Sequence, residues 1–194
     1  MDSQASYGEI KSYSPALVCA AIVLATVGQL WRQGRVWWCA CGSWSPWSDD
    51  AWGSHNSQHL FDPYSLTHVL HGVVLCGLLA IALPRVPWLW RWTLAVSLEC
   101  GWEIFENSAF VIDRYRTVTA SLGYEGDSIF NSLGDIASCG AGFWVASRLG
   151  LRKSLALFLA FEFVLLVWIR DSLVLNVVML LCPVESIRVW QTGG

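Results

Sequence analysis

The sequence predicts an all-α fold, a polytopic integral membrane bundle of about five transmembrane helices with a long non-cytoplasmic loop and a short C-terminal apolar segment. Three observations predict this class. Apolar residues make up 55% of the 194 residues, charged residues only 14%, and the mean hydropathy is +0.46. The apolar residues form runs long enough to cross a bilayer. Most of the 13 tryptophans fall near the ends of those runs, as interfacial anchors do.

The expected helices follow from the apolar runs and the residues that interrupt them. They cover about 15–31, 64–83, 88–112, 127–148 and 154–168. Pro84 and Pro87 leave only a tight turn after the second helix, so the second and third helices are antiparallel neighbours. The stretch 173–181 is too short to cross alone, and it either continues the fifth helix or lies at the interface. Together, 1–194 form one membrane domain.

Positive charges near the helix ends set the expected orientation. Their totals tie between the two faces, so the deciding feature is a dense basic cluster between the fourth and fifth helices, Arg148, Arg152 and Lys153. This cluster predicts a cytoplasmic N-terminus, with Lys11 on the same side. No small-residue cleavage pattern follows the first helix, which therefore has the character of an uncleaved signal anchor.

The segment 32–63 is a long loop rich in Trp, Ser and Gly, with neither helical nor strand period. A loop of this length is usually functional or packed as a lid. Its Cys39 and Cys41 form a Cys-x-Cys pair that could ligate a metal, although no second pair follows at zinc-ribbon spacing. A disulfide to Cys182 is the alternative use of these thiols. The loop histidines, His55 and His59, are interpreted as loop residues without a ligand role.

Polar residues inside the predicted helices mark the candidate site. Each group repeats at a spacing that places its members on one helix face. The groups are Glu99, Glu103 and Glu106 at i, i+4, i+7; Asp127, Asn131 and Asp135 at i, i+4, i+8; and His68 and His71 at i, i+3. These groups therefore face one volume shared by the second, third and fourth helices.

The antiparallel order of these helices lets the depths of their side chains be compared, because each residue rises about 1.5 Å. The expected levels pair Glu106 with Asp127, then Glu103 with His68 and Asn131, then Glu99 with His71 and Asp135. The polar groups should open towards the long loop.

Several charges inside a membrane need partners, since one at mid-bilayer costs about 2.5 to 3.5 kcal/mol on insertion scales. Carboxylates with two imidazoles form the ligand sets of zinc, iron or manganese sites. The sequence thus predicts a divalent metal held by His68, His71, Glu103 and Asp127. The Glu-x-x-His spacing of di-metal bundles is absent.

Six further polar residues complete the predicted site. The catalytic group is Glu99, Glu106 and Asp135, and the substrate-binding group is Arg114, Arg116 and Asn131. Glu99 or Glu106 would act as general base. Arg114 and Arg116 would clamp an anionic head group at the interface. This hypothesis describes a metal-dependent enzyme whose partner is a membrane lipid or a lipid-linked substrate.

The same residues also permit an interpretation without catalysis. They could form an interhelical hydrogen-bonded network in an accessory subunit with a membrane protein partner, or a proton or ion pathway. Gly134, Ser138 and Gly142 are interpreted as a close helix-packing face. A net charge of −3 without a basic patch excludes nucleic acid as a partner.

Two motifs resemble known families. The order of His68 and His71, then the intramembrane glutamates, Arg114 or Arg116, and DSIFNSLG at 127–134 resembles the VanZ-like pattern of bacterial membrane proteins. More specifically, SHNSQHLFDPYS at 54–65 and ECGWEIFENS at 99–108 resemble an uncharacterised bacterial inner-membrane family over nearly the whole chain. The resemblance implies a multi-pass protein of the bacterial inner membrane. VanZ implies a link to glycopeptide resistance at the cell envelope.

Overall fold

The computed structural model describes residues 14–120 and 123–193. Within these residues all regular secondary structure is helical, apart from an isolated parallel bridge between Trp47 and Phe61. The helices are α1 (Pro15–Arg32), α2 (Ser65–Ala82), α3 (Trp88–Glu106), α4 (Ala109–Val118), α5 (Ile129–Leu149), α6 (Leu151–Ile169), α7 (Leu173–Leu181) and α8 (Glu185–Gln191). The all-α prediction is confirmed for this part of the chain. Lys11 lies outside the described residues.

The expected third helix, 88–112, is two helices in the structure. α3 ends at Glu106, and α4 begins at Ala109 because Ser108 adopts an extended conformation and its hydroxyl accepts a hydrogen bond from the N–H of Val111. An apolar pattern does not reveal such a break, since no Gly or Pro marks it.

The other boundaries differ by a few residues from those expected. α5 begins at Ile129 instead of 127, because Ser128 caps it and accepts a hydrogen bond from the N–H of Asn131. α6 is longer than the predicted 154–168, and only Gly150, with φ of 72°, separates it from α5. The sequence did not predict α8.

α7 is a separate helix that bends 73° from α6. The donors at its N-terminus are paired by two side chains. Glu162 on α6 accepts hydrogen bonds from the N–H groups of Leu173 and Val174 at 2.9 and 3.2 Å. The hydroxyl of Ser172 accepts one from Leu175 at 3.3 Å. The bend is therefore a capped helix start rather than an irregular end.

The helices have the character of a membrane protein. α1 and α2 are long and apolar enough to cross a membrane, and the bent pair of α6 and α7 adds a third candidate if it counts as one span. Large apolar side chains are exposed on these helices, including Leu24 at 71%, Ile81 at 81% and Phe163 at 67%. Such a surface suits lipid better than water. Two or three candidate spans are thus identified, and the count of five stays a prediction.

α2 and α5 pack so closely that glycine is required at their contact. A Cβ added at Gly72 would lie 2.0 Å from the carbonyl oxygen of Cys139, and one at Gly142 would lie 2.0 Å from that of Val69. This contact confirms the predicted packing role of Gly142. The close approach brings the polar faces of the two helices together.

The loop between α1 and α2 is anchored on the start of α5. The N–H groups of Ser128, Ile129 and Phe130 donate to the carbonyl oxygens of Ser57, Val36 and Trp37 at 2.9, 2.8 and 3.2 Å. A helix leaves its first N–H groups without internal partners, and this loop supplies those partners.

Gly134 also faces the loop. A Cβ at Gly134 would lie 1.8 Å from the carbonyl oxygen of Leu60, so this position of the predicted packing face contacts the loop rather than another helix. The loop therefore lies directly against α5, as a packed lid requires.

We expect Gly142→Ala to lower the apparent melting temperature in detergent, because the new methyl must push Val69 and α2 away from α5. Overpacking of this kind costs about 1–3 kcal/mol. Gly77→Ala is the matched control on α2, where a Cβ has nothing within 4 Å. The control should be neutral or slightly stabilising, since alanine favours helix over glycine. Equal melting temperatures for both variants would contradict the close contact.

Candidate functional site

Glu99 is the centre of a buried polar cluster formed by α2, α3 and α5. Its Oε1 lies 2.5 Å from Nδ1 of His68, and both of its oxygens lie 3.0 Å from Nδ1 of His71. Glu99 is only 2% exposed and His68 only 7%. Nδ1 of each imidazole donates to the carboxylate, which leaves Nε2 as the ring atom able to accept a proton or bind a metal. A carboxylate buried in an apolar bundle requires such donors.

A second group of ligand atoms also includes His68. Nε2 of His68 lies 3.8 Å from Oδ2 of Asp135, and Nδ1 lies 3.5 Å from Oε1 of Glu103. The remaining oxygen of Asp135 accepts a hydrogen bond from the Ser65 hydroxyl at 2.7 Å. One ligand atom each from His68, Glu103 and Asp135 lie within 4.8 Å of one another, and the same holds for His68, His71 and Glu99.

Several buried polar atoms at this cluster have no hydrogen-bond partner. They are both carboxylate oxygens of Glu103 and Oε2 of Glu106, and both amide atoms of Asn131 on α5 are also without a hydrogen-bond partner. Glu103 and Asn131 are 0% exposed. A buried polar atom without a partner costs about 1–3 kcal/mol, and such atoms are rare in proteins. Two imidazoles with unpaired carboxylate oxygens match the donors preferred by zinc, iron or manganese. The residues therefore fit a divalent cation.

Asp127, the fourth predicted ligand, has protein partners instead. Its carboxylate accepts hydrogen bonds from Nδ2 of Asn107 at 2.7 Å and from the hydroxyl of Tyr124 at 2.8 Å, and its N–H donates to Oδ1 of Asn107 at 2.7 Å. Among the described residues, Asp127 belongs to neither group of ligand atoms. Burial raises the pKa of Asp127 above its ordinary value. Its role as a ligand stays a prediction.

Asp62 holds the loop against the start of α2. Its carboxylate accepts hydrogen bonds from the N–H groups of Ser57 and Tyr64, both at 2.8 Å. Burial raises the pKa of Asp62 to about 6. Ser57 has φ of 58°, a left-handed conformation unusual for a residue with a side chain. The strained backbone of Ser57 is thus fixed by Asp62 on one side and by α5 on the other.

A cavity of about 130 Å³ lies between the cluster and the loop. Its walls come from the loop and from α2, α3, α4, α5 and α7. They include Asn56, Ser57, Tyr64, His68, His71, Trp102, Glu106, Tyr115, Tyr124, Asp127, Asp135 and Asn176. A cavity of this size holds an ion with a few waters or a small reacting group, because one water needs only about 10–15 Å³ on this measure.

Family membership is decided by the sequence comparison. The profile of the DUF2585 family, proteins of unknown function, matches residues 30–193. The chain belongs to the DUF2585 family. The match confirms the prediction of an uncharacterised bacterial family, and it covers both the loop and the buried polar cluster. The likeness to VanZ rests on the sequence pattern and stays a prediction.

Bacterial relatives cover most of the chain. It is 45% identical to a UPF0314 protein of Paracoccus denitrificans, an alignment that covers 89% of each chain. UPF0314 proteins of Rhizobium etli and Sphingopyxis alaskensis are each 44% identical, over 91% and 92% of this chain and 91% and 95% of theirs. No solved structure matches the chain.

The two arginines predicted to bind substrate lie beside the cavity wall. Nε of Arg114 donates to the carbonyl oxygen of Leu180 at 3.0 Å, and Nε of Arg116 donates to that of Tyr124 at 2.5 Å. Neither side chain is among the residues that line the cavity. They flank Tyr115, which does line it. Their role in binding a head group stays a prediction.

Sequence reasoning missed two asparagines of the site. Asn107 pairs with Asp127, and Oδ1 of Asn176 lies 2.9 Å from the hydroxyl of Tyr115, which also lies 2.9 Å from Oε1 of Glu106. Both had a signal. Asn107 continues the i, i+4 row of Glu99 and Glu103, and Asn176 is the single polar residue in the apolar run 173–181.

We expect Asn107→Ala and Asp127→Ala to destabilise the protein non-additively, since each removes a buried partner of the other. A buried hydrogen bond to a charged group contributes about 1.5–3 kcal/mol, and a double-mutant cycle on unfolding free energies measures the coupling. The control cycle uses Glu185 and Arg188, whose bond of 2.8 Å is exposed and should show little coupling. Additive effects at Asn107 and Asp127 would disprove the pairing.

Proposed function

We propose that the chain is a membrane-embedded, divalent-metal-dependent enzyme that acts on a lipid or lipid-linked substrate of the bacterial cell envelope. The observation that carries this proposal is the buried carboxylate of Glu103, which has no hydrogen-bond partner and lies 3.5 Å from His68, one of two imidazoles that share Glu99. A protein that only needed to assemble its helices would satisfy this carboxylate or replace it with an apolar side chain.

His68, Glu103 and Asp135 are the residues best placed to hold the ion, with His71 beside them. Glu99 fixes the orientation of both imidazoles, as a carboxylate behind a histidine ligand does. When bound, such an ion lowers the pKa of a water towards neutrality and polarises an ester or phosphoryl oxygen. Zinc, iron and manganese all suit these donors.

Glu106 is the better candidate for general base. Its Oε2 has no partner and the residue lines the cavity, whereas Glu99 already accepts hydrogen bonds from two imidazoles. A general base must reach the proton that it removes, and it needs an oxygen able to accept it. The hydroxyl of Tyr115 at Oε1 of Glu106 holds the carboxylate in place.

The bundle also offers a place for the lipid part of a substrate. A separate apolar groove of about 650 Å³ lies among α2, α3, α5 and α6 and shares no lining residue with the cavity. An acyl or prenyl chain fits such a groove, while the cavity itself admits only a small polar group. Arg114 and Arg116 would bind an anionic head group beside Tyr115.

The finer topology belongs to the same proposal. α3 and α5, with 19 and 21 residues, are long enough to cross hydrocarbon of about 30 Å at 1.5 Å per residue. With α1, α2 and the bent pair α6–α7 they make five spans in the inner membrane, with the N-terminus in the cytoplasm. The intramembrane carboxylates then face the bundle interior, where charged residues in membranes are found.

A non-catalytic network is the second candidate, and one observation favours it. Asp127 and Glu162 are satisfied by protein donors alone, Asp127 by Asn107 and Tyr124 and Glu162 by the N–H groups that start α7. Under this alternative the chain is an accessory subunit or a proton pathway, and no intramembrane residue binds metal.

Elemental analysis of detergent-purified protein in metal-free buffers distinguishes the two candidates. We expect His68→Ala, Glu103→Gln and Asp135→Asn to lose one equivalent of metal relative to wild type, because each removes a ligand. Asp171→Asn is the control, a carboxylate that is 4% exposed and lies outside both ligand groups. Asp127→Ala tests a further residue that the sequence predicted as a ligand. Unchanged metal content in the three well-folded variants would exclude a metal in this cluster.

Turnover should separate from metal binding at Glu106. We expect Glu106→Gln to retain metal while the rate falls about 10²- to 10⁴-fold, the usual contribution of a general base. The assay uses protein reconstituted in vesicles of bacterial polar lipid, with and without lipid-linked envelope precursors, and mass spectrometry of the lipids over time. Chelator-treated wild type is the negative control. A wild type that changes no lipid, despite bound metal, would count against the substrate class.

A further inference from the structure

Two thiols and two imidazoles meet in the loop between α1 and α2, outside the intramembrane cluster. Sγ of Cys39 lies 3.4 Å from Nδ1 of His55, and Sγ of Cys41 lies 3.8 Å from Nε2 of His59. The two imidazole nitrogens lie 3.3 Å apart. All four ligand atoms lie within 4.8 Å of one another.

These separations are those of ligands around a single tetrahedral ion. Zinc bonds of about 2.3 Å to sulfur and about 2.0–2.1 Å to nitrogen place two nitrogens about 3.3 Å apart and a nitrogen and a sulfur about 3.6 Å apart. The three distances in the loop agree with this geometry to within a few tenths of an ångström. Side chains that merely shared a loop would have no reason to converge at these distances.

Backbone groups around these four side chains orient them as they do around metal ligands. Nδ1 of His59 lies 2.7 Å from the carbonyl oxygen of Ser45, so this nitrogen carries the proton and Nε2 faces the thiols unprotonated. The N–H of Ser43 donates to Sγ of Cys41 at 3.4 Å, and the N–H of Cys41 donates to Sγ of Cys39 at 3.5 Å. Hydrogen bonds of this kind favour the thiolate form that binds metal.

We propose that Cys39, Cys41, His55 and His59 form a structural zinc site. Two thiolates and two imidazoles in tetrahedral array select zinc among the common divalent ions. The order Cys-x-Cys, thirteen residues, His-x₃-His resembles zinc-finger spacing except for one residue fewer between the cysteines. This assigns a ligand role to histidines that the sequence had left as ordinary loop residues. The site is independent of the intramembrane metal proposed above.

The disulfide alternative has no support in the structure. All seven cysteines are free thiols, and the exposed Cys182 is absent from the cluster. A disulfide between Cys39 and Cys41 would enclose a single residue, so it would add little to the stability of the loop. Zinc ligation is therefore the use of these thiols that agrees with the observed contacts.

The position of the zinc site indicates that it stabilises the loop. The loop has no helix or strand between residues 33 and 64 to hold its shape, and metal ligation supplies folding free energy to such segments. Asn56 and Ser57 lie between the two histidine ligands and line the intramembrane cavity. An ion bound by His55 and His59 thus fixes the short segment that covers the cavity. Cys41 is exposed, which gives the ion a path of entry.

Cobalt substitution tests the site directly. Protein loaded with Co²⁺ in detergent should show the near-ultraviolet charge-transfer absorption of a cobalt–thiolate bond, since a thiolate ligand is present. The double variant Cys39→Ser/Cys41→Ser should lose this absorption, and the control Cys182→Ser should keep it. His68→Ala should also keep it, because the intramembrane donors are oxygen and nitrogen only. These variants thus report the loss of metal binding at the loop site separately from its loss at the intramembrane site.

A second measurement uses the wild type alone, so it tests the site even if the double variant does not fold. Alkylation of the zinc-loaded protein should leave Cys39 and Cys41 unmodified while Cys182 reacts, and removal of zinc by a chelator should make all three react, as mapped by mass spectrometry. Limited proteolysis should then cut within 33–64 faster in the chelated protein. Absence of the cobalt–thiolate absorption in folded wild type, or alkylation of the two loop thiols at equal rates with and without zinc, would overturn the proposal.

Discussion

The burial of charged side chains among apolar helices is the constraint on which this structure depends. Glu99 lies inside the bundle, where an ionised carboxylate without partners is too costly to retain. It is tolerated because His68 and His71, from the neighbouring helix α2, both donate to it. That arrangement requires α2 and α3 to meet at a fixed rotation and depth. Polar pairing therefore decides the register of the bundle, while apolar packing supplies its cohesion.

The close contact of α2 and α5 serves the same constraint. Gly72 and Gly142 let each backbone approach the other, and this approach places Asp135 of α5 3.8 Å from Nε2 of His68. A larger side chain at either glycine would separate the donors from the acceptors. In lipid, where helices gain nothing from hiding apolar surface from each other, small residues and polar contacts are the usual means of association. Both are present here on the same pair of helices.

The sequence predicted most of the buried polar cluster, because residues that repeat at helical spacing lie on one face of the helix. The spacing of Glu99 and Glu103 put both carboxylates on the face towards α2, and the depth estimate paired Glu99 with His71, which lie 3.0 Å apart. The rule fails where a helix is interrupted by side-chain capping. Ser108 ends one helix and starts another without any Gly or Pro, so the predicted third helix was too long.

The cluster of Cys39, Cys41, His55 and His59 in the loop was not predicted from the sequence, for a different reason. Cys41 and His59 contact each other across a loop that has no helical or strand periodicity. The course of this loop is fixed by hydrogen bonds from the first N–H groups of α5 to the carbonyl oxygens of Val36 and Trp37. The structure shows directly that the four side chains converge. The sequence carried part of this signal, because Cys-x-Cys, thirteen residues and His-x₃-His differs from zinc-finger spacing only by one residue fewer between the cysteines, but the histidines were not assigned to that pattern. Both centres lie within the 30–193 region shared with the DUF2585 family, whereas most of α1 precedes it.

The capped start of α7 has a consequence for how the cavity is closed. Because Glu162 and Ser172 accept the first N–H groups of α7, the chain bends by 73° without leaving those backbone donors unpaired. Asn176, carried one turn further along, then reaches Tyr115 on a different helix. Glu162 thereby sets the angle at which α7 joins the cavity wall, although Glu162 does not line the cavity itself. The shape of the cavity thus depends on the side-chain capping at the bend between α6 and α7.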